Sequence, residues 1–160
     1  AEEQSQIQYG ASLISVLEAS ERIRGQAHLT PVLTCSAIDR SCGFSAFFKC
    51  ENFQKVGAFK YRGIYNAVRH YVEKGGRGPL VTHSSGNAAQ AVALAAREQG
   101  LESVIVMPEN APPVKVAAVV EYGGRVVRCA SNVAAREQAA DDAVRAHPGS
   151  VLIPPYDHVD

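Results

Sequence analysis

Two short segments of the sequence combine residue types that can do chemistry. The first is QKVGAFKYRG, residues 54–63, a glycine-containing turn that leads into a predicted helix and carries Lys55 and Lys60. A lysine at a helix start lies at the positive end of the helix dipole, which favours the neutral amine. The neutral amine is the form that attacks an aldehyde to make a Schiff base. Lys60 is therefore a candidate nucleophile, although a solvated helix lysine would look the same in the sequence.

The second segment is HSSGN, residues 83–87, which lies between a predicted strand and a predicted helix. In open parallel sheets, ligands bind beyond the carboxyl ends of the strands, where helix N-termini present unpaired N–H groups. The hydroxyls of Ser84 and Ser85, together with the backbone donors of the loop, predict a site for a carboxylate or a phosphate. Serine and asparagine are also ordinary N-caps, so simple capping of the helix is the alternative.

The elements that position these segments alternate in type from residue 80 onward. The predicted strands are 80–82, 103–107, 125–129 and 151–153, and the predicted helices are 87–99, 113–122 and 132–146. Strands joined by a single helix run parallel, because a crossover of that length cannot form a hairpin. The sequence therefore predicts an open α/β/α unit with a four-stranded parallel sheet.

The first 79 residues show a different pattern. Helical spacing of apolar residues predicts helices at 11–24 and 59–71. Apolar runs predict short strands at 32–34 and 46–50, with a turn at Gly43 between them. The change of pattern near residue 80 predicts a boundary between two regions of the chain.

Composition and charge limit the kinds of molecule that the protein is expected to bind. The 16 Lys and Arg balance the 16 Asp and Glu, so the formal net charge is zero and no electrostatic footprint for nucleic acid or an anionic membrane is present. No apolar run approaches the roughly 20 residues that a membrane span needs. The four cysteines are irregularly spaced and no signal peptide is visible, which favours reduced thiols over a disulfide framework or a zinc site. We therefore expect a cytoplasmic protein with a small-molecule partner.

Four motifs resemble one known family. Residues 51–63 (ENFQKVGAFKYRG) and 82–87 (THSSGN) closely resemble the serine racemase and threonine (serine) dehydratase family of fold-type II pyridoxal-phosphate (PLP) enzymes. Residues 28–32 (HLTPV) and 107–112 (MPENAP) are similar to that family as well, and the resemblance runs from about residue 14 to residue 160. It implies an α/β fold of the tryptophan synthase β type.

The resemblance also implies how the chain is divided. Residues 1–79 would be the N-terminal part of the large PLP domain, residues 80–156 the small α/β domain, and residues 157–160 the start of the return to the large domain. The fold would be incomplete, and the chain an N-terminal fragment. Its tetraglycine phosphate loop, the partner of the pyridine nitrogen and the ligands of a divalent cation (Mg²⁺) would all lie beyond Asp160. We therefore expect no metal site in these residues and no tight cofactor binding by them alone.

Residue roles follow from the resemblance position by position. Lys60 would carry PLP as a Schiff base and then act as acid and base on one face of the substrate Cα. Ser85 would be the proton donor or acceptor on the opposite face, which racemisation requires and β-elimination does not. Asn87 would bind the phenolic oxygen of the cofactor, and Phe59 would pack near its ring. The substrate carboxylate would be held by Ser84, Ser85, Gly86 and Asn87.

The implied activity is that of a PLP-dependent serine racemase, an L-serine or L-threonine ammonia-lyase (dehydratase), or both. A homodimer and a nucleotide effector are also implied. One departure is Ala88, where the family usually has histidine beside the carboxylate site. Two alternatives stay open: a truncated, non-catalytic relative that serves as an interaction module, and another fold-type II enzyme such as threonine synthase or a cysteine-synthase-like β-replacement enzyme.

Overall fold

A computed structural model of the protein describes residues 11–156. The helices are α1 (Leu13–Ile23), α2 (Ser36–Cys42), α3 (Lys60–Glu73), α4 (Asn87–Glu98), α5 (Pro113–Glu121) and α6 (Val133–Ala146). The strands are β1 (Val32–Leu33), β2 (Phe48–Lys49), β3 (Leu80–His83), β4 (Ser103–Pro108), β5 (Arg125–Cys129) and β6 (Val151–Leu152). Two short 3₁₀ turns, Glu51–Phe53 and Lys55–Gly57, precede α3.

The main sheet contains β5, β4, β3 and β6 in that order, and every neighbouring pair is parallel. Leu80 pairs with Ser103 on one side and with Val151 on the other, so β3 lies inside the sheet. All six residues of β4 are buried, as expected for a central strand of a parallel sheet with both faces covered. The four-stranded parallel sheet predicted from the sequence is confirmed.

Helices cover the sheet on both faces. Successive residues of β3 and β4 point to opposite sides, since side chains alternate along a strand. Leu80, Ile105 and Met107 join the buried cluster formed with α3, α4 and α5, whereas Val81 and Val104 join the cluster beneath α6. The result is a three-layer α/β/α arrangement, and its helices carry their N-termini to the carboxyl edge of the sheet.

Helix α4 packs closely against α3. Residues 88–96 are all buried, and six of these nine are alanine, so the backbones of the two helices can approach each other. These two helices lie on either side of the domain boundary predicted at residue 79 and contribute to the same buried cluster. The division into residues 1–79, 80–156 and 157–160 stays a prediction, and residues 157–160 lie outside the described part of the chain.

The region before α3 differs in one element from the sequence prediction. Where a simple turn at Gly43 was expected, the structure has α2, and Gly43 ends this helix with φ 76° in the left-handed region that glycine tolerates. Helix α2 has seven residues and none is buried, so it leaves no apolar stripe in the sequence. The predicted strands on either side form a short antiparallel pair, in which Val32 opposes Lys49.

Candidate active site

Lys60 is the first residue of α3 and follows a strained turn. Val56, in the second 3₁₀ turn, has φ 56° and ψ 13°, and Gly57 has φ 68°. A positive φ is rare and costly for a β-branched residue, so the surrounding structure must hold this turn in place. The turn ends at Phe59, which caps α3 without a side-chain hydrogen bond.

The amine of Lys60 reaches a distant part of the chain. Its Nζ donates to the carbonyl oxygen of Pro155 at 2.9 Å and lies 5.4 Å from the centre of the Phe59 ring. Within residues 11–156 it forms no ion pair with a carboxylate. Pro155 is a neutral partner, so the amine can leave it for a ligand without separating an ion pair.

Pro155 is also a wall of a cavity of about 380 Å³ at the carboxyl edge of the sheet. The other residues that line it include His83, Ser84, Ser85, Val133, Arg136 and Tyr156. His83 ends β3 and Val133 begins α6, so the cavity lies where open α/β sheets bind their ligands. Of the site residues predicted from the sequence, Ser84 and Ser85 line this cavity, and Lys60 is linked to it through its hydrogen bond to Pro155. Phe59, Gly86 and Asn87 are not among the residues that line it.

The loop at residues 83–87 uses two of its backbone donors internally and leaves two side chains unpaired. The backbone N–H of Ser84 donates to Val106 at 3.1 Å, and the Ser84 hydroxyl accepts the N–H of Gly86 at 3.2 Å. Gly86 is the N-cap of α4, and no side chain caps this helix, so the capping alternative is not what the structure shows. Among the described residues, neither the Ser85 hydroxyl nor the Asn87 amide has a hydrogen-bond partner. Unpaired donors at a helix N-terminus can receive an anion or a polar ligand group.

Two residues of the cavity were missed by sequence reasoning. Arg136 lies in the first turn of α6, and within residues 11–156 its side chain makes no hydrogen bond or ion pair. Tyr156 lies edge-to-face with His83, the ring centres 6.4 Å apart. Only its place in the sequence could have indicated Arg136. It follows the end of the predicted strand 125–129 by seven residues, and this is the edge of the sheet at which we expect the ligand.

A second polar cluster joins the turn before α3 and the first turn of α3 to the end of α4. Tyr61 is fully buried and donates to Glu98, which also accepts Lys55 Nζ at 2.7 Å. Burial, together with the hydrogen bond to Glu98, raises the pKa of the Tyr61 hydroxyl well above its usual value. Lys55 is therefore committed to this cluster, whereas the Lys60 amine donates to Pro155, one of the residues that line the cavity.

These residues fit an aldehyde cofactor such as PLP. Lys60 provides an amine without a carboxylate partner among residues 11–156, and Phe59 beside it is 61% exposed. Ser85 and Asn87 provide an unpaired hydroxyl and an unpaired amide, which suit a polar ring substituent or a carboxylate. Among residues 11–156 there is no cluster of His, Cys, Asp and Glu able to hold a metal ion, and no helix is long and apolar enough to cross a membrane.

Known proteins similar to this chain include racemases and an ammonia-lyase. Serine racemase of Arabidopsis thaliana is 46% identical over 149 residues, which are 92% of this chain and 44% of that protein. L-threo-3-hydroxyaspartate ammonia-lyase of Pseudomonas sp is 44% identical over 150 residues, covering 94% of this chain and 47% of that protein. The structure of maize serine racemase superposes with a TM-score of 0.89 at 42% identity, covering 93% of this chain and 45% of that one.

The chain spans less than half the length of the curated relatives it matches. The similarity to maize serine racemase confirms the predicted fold-type II architecture for the part that is present. A sequence profile of the family described as "Pyridoxal-phosphate dependent enzyme" matches residues 23–160, which include Lys60 and the loop at 83–87. The chain therefore belongs to the family of pyridoxal-phosphate dependent enzymes.

Proposed function

We propose that the protein acts at the α-carbon of serine or threonine, racemising the amino acid, releasing ammonia from it, or both. The observation that carries the proposal is the position of Lys60 Nζ, 2.9 Å from the oxygen of Pro155, which lines the same cavity as Ser84 and Ser85. A reactive amine thus reaches the wall of a pocket that presents hydroxyls and helix N–H groups. Relatives named serine racemase support the substrate class.

Lys60 and Ser85 are the proposed catalytic pair. When bound, PLP supplies an electron sink for negative charge at the substrate α-carbon. The Lys60 amine holds the cofactor and then takes or returns a proton at that carbon on one face. The Ser85 hydroxyl exchanges a proton at the same carbon on the other face. Racemisation needs both groups, whereas loss of the β-hydroxyl needs a proton acceptor on one face only.

The remaining predicted residues are proposed to bind and orient the substrate and the cofactor. The hydroxyls of Ser84 and Ser85 and the N–H groups of Ser85 and Asn87 are proposed to hold the substrate carboxylate at the uncapped N-terminus of α4. The N–H of Gly86 supports this site by donating to the Ser84 hydroxyl. The Asn87 amide is proposed to donate to the phenolic oxygen of the cofactor. Phe59, whose exposed ring lies beside the Lys60 amine, is proposed to pack against the pyridine ring.

Reductive trapping tests the role of Lys60. The amine adds to the aldehyde of PLP and water leaves; borohydride then delivers hydride to the carbon of the C=N bond, and the nitrogen takes a proton from water. We expect peptide mapping by mass spectrometry to find the stable adduct on Lys60. Lys60→Arg should abolish the adduct and both activities, because a guanidinium does not form an imine. Lys74→Arg, at the exposed C-terminal end of the same helix, is the control and should retain the adduct on Lys60 and both activities.

Three results would contradict the proposal. Label on another lysine with none on Lys60 would show that a different amine holds the cofactor. A Lys60→Arg protein that still released ammonia or racemised serine would exclude the catalytic role. Absence of label and of activity in the unmodified full-length protein would contradict it too, and would favour the non-catalytic interaction module.

Arg136 favours a second candidate substrate, an amino acid with a carboxylate on its side chain. Its guanidinium lines the same cavity as Ser84 and Ser85 and has no acidic partner within residues 11–156. Arginine binds carboxylates through paired, charge-assisted hydrogen bonds. A relative named L-threo-3-hydroxyaspartate ammonia-lyase, 44% identical, fits such a substrate.

We also propose a homodimer in the cytoplasm. Apolar side chains that α1 exposes, Leu13, Ile14 and Leu17, support association, and the four free thiols support a reducing compartment. Light scattering of the purified protein tests the first, and a monomeric mass would contradict it. Alkylation of all four thiols in freshly lysed cells, without a reductant, tests the second.

A further inference from the structure

Arg62, two residues after Lys60, is held by a carboxylate outside the cavity. Its Nε donates to Glu51 Oε2 at 2.8 Å and its Nη2 donates to Glu51 Oε1, also at 2.8 Å. The hydroxyl of Thr30 donates to the same Oε1 at 2.6 Å. A carboxylate that receives two parallel N–H bonds fixes the plane of the guanidinium as well as its distance. Arg62 is therefore held in one orientation.

The same guanidinium is tied to the backbone of residues 28–30. Arg62 Nη2 also donates to the carbonyl of His28 at 3.0 Å and to the Thr30 hydroxyl at 3.3 Å. Gln54 reaches His28 from the other side: its Nε2 donates to the His28 carbonyl at 3.0 Å, and its Oε1 accepts the His28 N–H at 2.9 Å. Gln54 and Thr30 are only 3% and 4% exposed, so the bonds that these two side chains make are partly withdrawn from water.

These contacts hold both ends of the strained turn that carries Lys60. Gln54 stands immediately before the turn and Arg62 stands in the first helical turn of α3, while Val56 between them has φ 56°. A β-branched residue keeps such a conformation only where neighbouring contacts impose it. If Arg62 were released, the turn could relax, and the start of α3 would shift with it.

We propose that Glu51 is a positioning residue: acting through Arg62, it fixes the first turn of α3 and so keeps Lys60 Nζ at the wall of the cavity beside Pro155. This inference rests on the proposed function, because it takes Lys60 as the amine that reacts. Glu51 itself does not line the cavity. Its side chain is 20% exposed and that of Arg62 is 29% exposed, so both are partly withdrawn from solvent.

The test measures how fast Lys60 reacts with PLP in the full-length protein. The readout is the rate of borohydride-trapped adduct on Lys60, quantified by mass spectrometry, which does not depend on turnover of a substrate. We expect Glu51→Gln to slow trapping by about tenfold or more, since small displacements of a reacting group are costly in rate. Arg62→Lys, which keeps the charge but loses the two-pronged geometry, should slow it to a similar degree. The double variant should trap PLP no more slowly than the slower single variant, because both substitutions break the same Glu51–Arg62 interaction.

Two controls separate positioning from general loss of stability. Ile64→Val removes a methylene from the buried face of α3 without touching the cluster, and Asp142→Asn removes a carboxylate from an exposed ion pair with Arg145. Both should trap PLP at the rate of the unmodified protein. If Glu51→Gln does not fold, Thr30→Val replaces it, because that change removes the bonds of Thr30 to Glu51 and Arg62 and keeps the ion pair. It should slow trapping relative to Ile64→Val, and an unchanged rate would overturn the positioning role.

The outcomes distinguish this inference from the proposed function. If the unmodified protein gives no adduct on Lys60, both are wrong. If it does, and Glu51→Gln traps PLP no more slowly than Ile64→Val, the positioning role alone is overturned. An Arg62→Lys protein with the unmodified rate would overturn it as well, since any cation at position 62 would then suffice.

Discussion

Lys60 Nζ donates a hydrogen bond of 2.9 Å to the carbonyl oxygen of Pro155, a residue 95 positions later in the chain. This contact joins the first turn of α3 to the segment after β6, and it places the amine at a cavity lined by the loop after β3. The partner is a neutral backbone oxygen. The amine thus contacts a residue that lines the site and, among residues 11–156, is not paired with a carboxylate.

The two lysines of the turn should differ sharply in what they contribute to stability. Lys55 binds Glu98 at 2.7 Å and the Tyr61 hydroxyl at 3.2 Å, so Lys55→Met should cost about 2–3 kcal/mol of unfolding free energy. Lys60→Met loses one bond to a carbonyl and relieves a positive charge at a helix start, so its cost should stay within about 1 kcal/mol. Urea unfolding of the cofactor-free proteins measures both. Equal losses would show that Lys60 is a structural residue.

Removing the Ser85 hydroxyl should separate the two proposed activities. Because only racemisation needs a proton donor on the second face of Cα, Ser85→Ala should slow interconversion of L- and D-serine by about 100-fold or more. Ammonia release from L-serine should fall much less. Ser84→Ala is the matched control: its hydroxyl is proposed to hold the carboxylate that both reactions share, so both rates should fall together. A parallel loss in Ser85→Ala would assign this residue to binding as well.

The α/β half of the fold could be predicted closely from the sequence. Apolar strands and alanine-rich helices alternate from residue 80, and the predicted strand 125–129 coincides with β5. The helix predicted at 132–146 begins one residue later, because Asn132 is its N-cap and accepts the N–H of Ala135 at 2.8 Å. Helix α2 was not predicted, because none of its residues is buried and its sequence therefore lacks the apolar spacing of a packed helix.

The sequence was enough to predict the motifs of the candidate site, but not how the fold brings them together. Lys60 and the loop at 83–87 are visible as unusual local combinations of residues. Their meeting at Pro155 depends on the packing of α3 against α4 and on the place of β6 in the sheet, which local patterns do not specify. Arg136 was missed for the same reason, since a lone arginine in a helix has no distinguishing pattern until the cavity beside it is known.

Acidic pH should lower the folding stability of the protein, because it protonates the Glu51 carboxylate. The hydrogen bonds from Arg62, joined by that from Thr30, lower the pKa of the Glu51 carboxyl from its ordinary value of 4.5 to about 2. A folded-state pKa below the unfolded value stabilises the fold at pH above about 4.5, and this contribution is lost as the pH falls toward 2. The difference corresponds to up to about 3 kcal/mol. Glu51→Gln should be less stable at pH 7 and should lose less on going to pH 3, as urea midpoints at the two pH values would show. An unchanged loss in the variant would mean that other carboxyls cause the acid sensitivity.

Arg136 should decide between neutral and acidic substrates. Its guanidinium faces the cavity without an acidic partner in residues 11–156, so a side-chain carboxylate of the substrate could pair with it. A charge-assisted hydrogen bond is worth about 1.5–3 kcal/mol, so Arg136→Gln should lower kcat/KM for 3-hydroxyaspartate by roughly 10- to 150-fold. The value for serine should change much less, since serine carries no second carboxylate. Arg145→Gln, later on the same helix and paired with Asp142, is the control and should leave both values unchanged. An equal loss for serine and 3-hydroxyaspartate would place Arg136 on the α-carboxylate that every substrate has, and the protein's preference for one of them would then have to arise elsewhere in the cavity.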